Sequence, residues 1–123
     1  DAPWLHRVGH SMSACPASGG QSERLILTGG GSTRTGIFPR QYNDVWAMDN
    51  SGHWSELGQA PWHARWLHST TCLSDGTLLL VGGHSGFHFF NDVWAMSVAG
   101  EWSQLSPAAP WSPRSGFGMV ALP

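Results

Sequence analysis

Seven histidines, two cysteines, five aspartates and six arginines, with no lysine at all, are the residues of this 123-residue chain that carry chemistry. Histidines raise metal binding, since imidazole is a common ligand. His6 with His10, and His84 with His88, stand four positions apart. That spacing pairs side chains only on a helix, and both pairs lie in stretches that read as loop and strand. His10 and His68 occupy equivalent places after an arginine, where a third copy has Phe117. A metal ligand is rarely exchanged for phenylalanine, so the position reads as packing and hydrogen bonding, with no metal. Cys15 and Cys72 lack the cationic sequence neighbours that would make a thiolate nucleophile. Each follows a His-Ser pair, at different distances, so the two are not equivalent and read as small buried hydrophobes. The redox compartment stays open. Asp44 and Asp92 both precede Val-Trp, and read as caps for loop N–H groups rather than as an acid–base pair. No catalytic residue and no cofactor follow from these groups.

Binding chemistry is better represented. Arg7, Arg65 and Arg114 each follow a Pro-Trp pair by three positions and open a strand-like run. A guanidinium fork suits a carboxylate. The competing role is structural, with each arginine stacked on the tryptophan of its pair and tied to loop carbonyls. A second group sits in two stretches that differ between the repeats described below. One carries Arg34, Ile37, Phe38, Arg40 and Tyr42; the other carries His84, Phe87, His88, Phe89 and Phe90. Arginine and aromatic side chains dominate interface energetics, so these residues are the candidate contacts.

The elements that must position these groups are repeats. Asn-Asp-Val-Trp-Ala-Met occurs at 43–48 and again at 91–96. Within it Val and Ala alternate with Trp and Met, which is strand periodicity, and both tryptophans are expected to be buried between units. Around it four strands recur in order. Strand A follows the arginine (10–15, 68–73 and 117–122). Strand B is an apolar run closed by Gly-Gly (25–30, 78–83). Strand C is the hexapeptide, and strand D follows a Gly turn with a central tryptophan (52–57, 100–105). Equivalent residues lie 48 to 58 positions apart, and the differences fall between A and B and between B and C. Loops vary while strands hold, as in repeat proteins. The units are 1–57, 58–105, and 106–123 as the first strand of a third.

Composition agrees. Sixteen glycines, eight prolines and eight tryptophans with only 11% charged residues describe short strands and tight turns. A net charge of −2 is no footprint for nucleic acid, and no apolar run reaches the roughly 18–20 residues of a membrane helix.

The Pro-Trp-x-x-Arg start with Gly-His after the first arginine, the glycine doublet after an apolar strand, and the aromatic residues of strands C and D resemble the kelch repeat. The resemblance covers nearly the whole chain. It implies an all-β kelch-type β-propeller segment: two four-stranded antiparallel blades plus one extra strand. Two blades do not close a ring, so the resemblance implies a piece of a longer propeller, or several chains closing one together. In kelch-type substrate adaptors arginines at the place of Arg7, Arg65 and Arg114 help hold acidic peptides. Kelch-fold copper oxidases use a Tyr-Cys cofactor, for which the single Tyr42, in a loop, gives no support. The expected function is therefore non-catalytic protein binding or scaffolding by loops around the channel mouth. The expected partners are a protein or peptide, acidic ones included, and further blades of the same chain or other copies of it. Two alternatives are an enzyme whose catalytic residues lie on other blades, and a repeated unit of a larger assembly.

Overall fold

Strand alternation demands sheets with two distinct faces, and the chain builds two of them. A computed structural model describes residues 2–17, 22–32 and 40–122, and these contain no helix. In chain order the strands are β1 (Ser11–Pro16), β2 (Glu23–Thr28), β3 (Gly31–Ser32), β4 (Arg40–Gln41), β5 (Asp44–Met48), β6 (Trp54–Gln59), β7 (Ser69–Cys72), β8 (Leu78–Val81), β9 (His84–Ser85), β10 (His88–Phe89), β11 (Val93–Met96) and β12 (Trp102–Ser106). Two antiparallel four-stranded sheets result, ordered β1-β2-β5-β6 and β7-β8-β11-β12. The stretches between strands B and C are not plain loops. Each folds into a two-stranded hairpin, β3-β4 or β9-β10.

Both sheets carry the same irregularity. The register shifts between Val45 and Trp46, and again between Val93 and Trp94, which leaves Leu57 and Leu105 bulged and exposed on the edge strands. A bulge bends an edge away from further pairing, so these two exposed leucines have a topological cause.

Register assigns the faces. Ser13, Ile26 and Ala47 are cross-strand partners, as are Ser11, Thr28 and Val45, so they share the face that meets the second sheet. The second sheet answers with Thr70, Leu80 and Trp94, and with Cys72, Leu78, Met96 and Trp102. Between the sheets lies one core of Cys15, Ile26, Val45, Ala47, Ala60, Trp62, Leu78, Leu80 and Met96. Each fully buried aliphatic side chain there contributes roughly 1.5–3 kcal/mol. Strands β1 and β7, each at one edge of its sheet, face one another: Thr70 Oγ1 shares hydrogen bonds with Ser11 Oγ (2.7 Å) and Ser13 Oγ (2.8 Å).

Three expectations need correction. Cys15 and Cys72 are disulfide-bonded, with Cα atoms 5.3 Å apart, within the usual span. Their unequal spacing from the arginines is what permits the bond. A one-residue offset turns a side chain to the opposite strand face, and stacked sheets meet through opposite faces. Second, the third strand A is absent: residues 107–122 form no strand. A strand exists only against a neighbour, and this copy has no strand B beside it among the described residues. Third, of the two repeated tryptophans only Trp94 packs against the core between the sheets, because alternation turns Trp46 to the face away from the second sheet; the fully buried indole is Trp62. It meets Trp102 edge-on, with ring centroids 5.6 Å apart.

Candidate binding face

The arms that lead into the first strands contain the arginines, and their geometry assigns two of them. Arg7 donates a fork to Asp44 (2.6 and 2.8 Å) and a further bond to the Gly29 carbonyl (2.9 Å). Arg65 repeats it on Asp92 (2.6 and 2.9 Å) and the Gly82 carbonyl (2.9 Å). Trp46 Nε1 donates to Asp44 at 2.9 Å and Trp94 Nε1 to Asp92 at 2.8 Å. Burial pushes both carboxyls up. The bonds from arginine and tryptophan, with the arginine charge, outweigh it and hold both below the ordinary value. The guanidinium of Arg7 lies 4.5 Å from the centre of the Tyr42 ring and that of Arg65 4.0 Å from Phe90. The main ring partners are therefore Tyr42 and Phe90, with Trp62 at 5.8 Å beyond Arg65. The side chains of Arg7 and Arg65 are 2% and 1% exposed, so neither presents its fork to a ligand. Asp44 and Asp92 take arginine forks, not loop N–H groups. The sequence signal was the joint recurrence of Arg and Asp in both units.

The glycine doublets make these arms fit. Gly29 and Gly30 have φ of +54° and +92°, and Gly82 and Gly83 +64° and +89°. A Cβ on Gly29 would stand 2.8 Å from the His68 ring, and one on Gly82 2.7 Å from Phe117. The third-copy phenylalanine thus takes the histidine's place. His68 Nε2 and Thr28 Oγ1 are 2.8 Å apart. Burial, then the Arg65 charge, hold His68 down to about 3 against the Thr28 bond, so the ring is neutral.

The hairpins hold the exposed residues. Ser85 Oγ donates to Gln41 Oε1 at 3.4 Å, so β3-β4 and β9-β10 lie side by side. From the first, Arg40 is exposed, 5.7 Å from the half-buried Tyr42 ring; Arg34 lies outside the described residues. From the second, Phe87 is fully exposed at the turn, with His88 and Phe89 also exposed. Phe89 stacks on His84 at 5.1 Å, and His84 Nε2 accepts from Trp66 Nε1 at 2.6 Å. His84 thus carries its neutral-form proton on Nδ1, and burial lowers its pKa. Beside these, His63, Ser85, His88 and Phe90 line a pocket of about 230 Å³. That is below the usual range for a small-molecule site and suits a single side chain. Trp66 and His63, absent from the sequence-based set, join this face because the arm pairs with β9 through Trp66 and His84.

Arg114 is exposed and has no carboxylate partner among the described residues; its Nε donates to the Ser112 carbonyl at 3.1 Å. No group of three or more His, Cys, Asp or Glu among the described residues is arranged to hold a metal. Cys15 and Cys72, being bonded to each other, offer no thiolate. Compared with known proteins, the chain matches no family model and no curated sequence.

Proposed function

We propose that the chain is a segment of a kelch-type β-propeller that binds protein or peptide, without catalysis, through the face formed by its two hairpins. The carrying observation is the contact of β3-β4 with β9-β10, which sets the hairpin bearing exposed Arg40 beside the one bearing exposed Phe87, His88 and Phe89, with His88 lining a pocket of one-side-chain size. Exposed aromatic and arginine side chains on a rigid scaffold are the usual anchors of recognition. The propeller reading is supported by two sheets of equal topology that come together at their edge strands β1 and β7. With Arg7 and Arg65 occupied internally, an acidic partner would be met by Arg40 rather than by a ring of arginines.

Selection of a random peptide library on the full chain tests this. Enriched peptides are expected to place an aromatic or acidic residue in the pocket. F87A, F89A or R40A should weaken them about 30-fold, the effect of an anchor worth about 2 kcal/mol, while stability stays unchanged. Peptides held equally well by all three variants would remove the hairpin face as the site.

A further inference from the structure

The two hairpins are seated on their arms by the same backbone bridge. Val8 N–H donates to the Gly31 carbonyl (2.8 Å) and Gly31 N–H to the Val8 carbonyl (2.9 Å); Trp66 and His84 repeat this at 3.1 and 3.0 Å. The side chains at the two bridges differ. Where the first unit pairs valine with glycine, the second pairs tryptophan with histidine. Glycine leaves room for the indole on the first hairpin: a Cβ on Gly31 would stand 3.0 Å from the Trp66 ring. Trp66 thus lies against β3 while its Nε1 donates to His84 Nε2 on β9 at 2.6 Å. His84 in turn stacks on Phe89 of β10. One indole and one imidazole tie the two hairpins together.

An indole N–H can only donate, so His84 Nε2 must accept, and the bond exists only with the neutral ring. His84 Nδ1 is buried with no hydrogen-bond partner among the described residues. An imidazolium carries a proton on both nitrogens. It would set one N–H against the indole N–H and leave the other without an acceptor. The face of Phe89 attracts a cation, but it flanks the ring and accepts from neither nitrogen. The other charged or titratable side chains on the packed elements are His63 and Arg65 of the arm, Arg40 and Tyr42 of the first hairpin, His88 of the second, and Arg114 of the next arm. Arg65 is neutralised by Asp92. Burial, and no charge among these groups, lowers the His84 pKa.

We infer that the Trp66–His84 pair is an acid-released latch: a proton on His84 parts the two hairpins and with them the surface that holds a partner. The consequence for binding rests on the hairpin face being the site. The latch is closed above about pH 6.5, the ordinary histidine value. It opens as pH falls through the lowered value of the folded chain. The pairing belongs to this one junction, since the equivalent arm positions carry Val8 and Ser115.

Amide exchange on the full chain at about pH 7.5 and about pH 4.5 tests the latch, with the β8 amides as the reference for global opening. Protection at 84–89 relative to β8 is expected to fall about 10-fold in acid, the worth of one buried hydrogen bond. H84Q keeps an amide oxygen to accept from the indole at either pH, and should change by less than about 2-fold. W66F has no donor and should show the open hairpin at both pH values. A peptide selected on the chain and free of Asp, Glu and His should bind the parent about 10-fold more weakly in acid, and H84Q with little change between the two. Constant protection in the parent, or an H84Q hairpin that opens in acid as the parent's does, overturns the inference. So does a peptide that F87A weakens and acid does not, which leaves the hairpin face standing. A peptide indifferent to F87A, F89A and R40A removes the face instead, and the exchange result alone then decides the latch.

Discussion

The hexapeptide shared by the two units has one sequence and two environments. In the first unit it sends Val45 and Ala47 into the core and leaves Trp46 and Met48 half-buried; in the second, Met96 is fully buried and Val93 only half. The first unit meets the second through its Val/Ala face, and the second meets the first through its Trp/Met face. Burial here is a property of place in the stack. A strand that must pack on both sides carries two apolar faces, and each unit uses whichever face has a neighbour. The same holds for Arg65 and Arg114, and for Trp62 and Trp111.

That comparison breaks most visibly at the arginines. R65A removes the buried fork from the half-buried Asp92 carboxylate and should destabilise the chain by about 3–5 kcal/mol, whereas R114A should change it by little. Urea denaturation of both variants checks this, and equal losses would mean that burial does not separate the two arms. Next in size is the bond between β1 and β7. C15S with C72S should cost about 2–4 kcal/mol, read as a lower denaturation midpoint that reducing agent reproduces in the parent chain and leaves unchanged in the variant.

His68 and Phe117 fill equivalent slots, and acid should tell them apart. The folded His68 pKa of about 3 lies below the unfolded value of about 6.5. The unfolded chain therefore binds more protons between these values. This contribution is complete above about pH 6.5 and is lost as pH falls toward 3, by up to about 1.4 kcal/mol per pH unit. H68F should flatten that slope in pH-dependent unfolding. Asp44 and Asp92, held low, add a further loss in more acid solution, in parent and variant alike. The smallest effect belongs to the arm turns. Gly9, Leu67 and Gly116 all have positive φ, and Leu67 is the one non-glycine residue so placed among those described. Relief of roughly 1–2 kcal/mol of left-handed strain against a lost, partly exposed side chain should leave L67G within about 1 kcal/mol of the parent by thermal unfolding.

Much of this was legible in the residues, since strand periodicity and turn chemistry are local. The A-B-C-D order, the apolar run Leu78–Val81 and the close approach at both glycine doublets follow from side-chain alternation and from φ space open only to glycine. The hairpins within 31–41 and 84–89 leave no mark in the sequence pattern, because two-residue strands have no period to detect. Arg40, Phe87 and Phe89 stand out by residue type alone, whereas Trp66 and His63 reach this face only because the arm pairs with β9.

What local pattern could not decide was which faces meet. Cys15 and Cys72 looked unrelated because their spacings differ by one. In a period of two, one residue is a change of face, and facing sheets bond across that change. Arg65 and Arg114 follow the same Pro-Trp signal, yet one is a buried strut and the other an exposed fork, because among the described residues only Arg65 meets a unit that supplies an aspartate. The chain specifies its strands through φ, ψ and side-chain alternation within a few residues. Which side chain is core and which is surface depends on a second sheet arriving, and that is settled by packing between units.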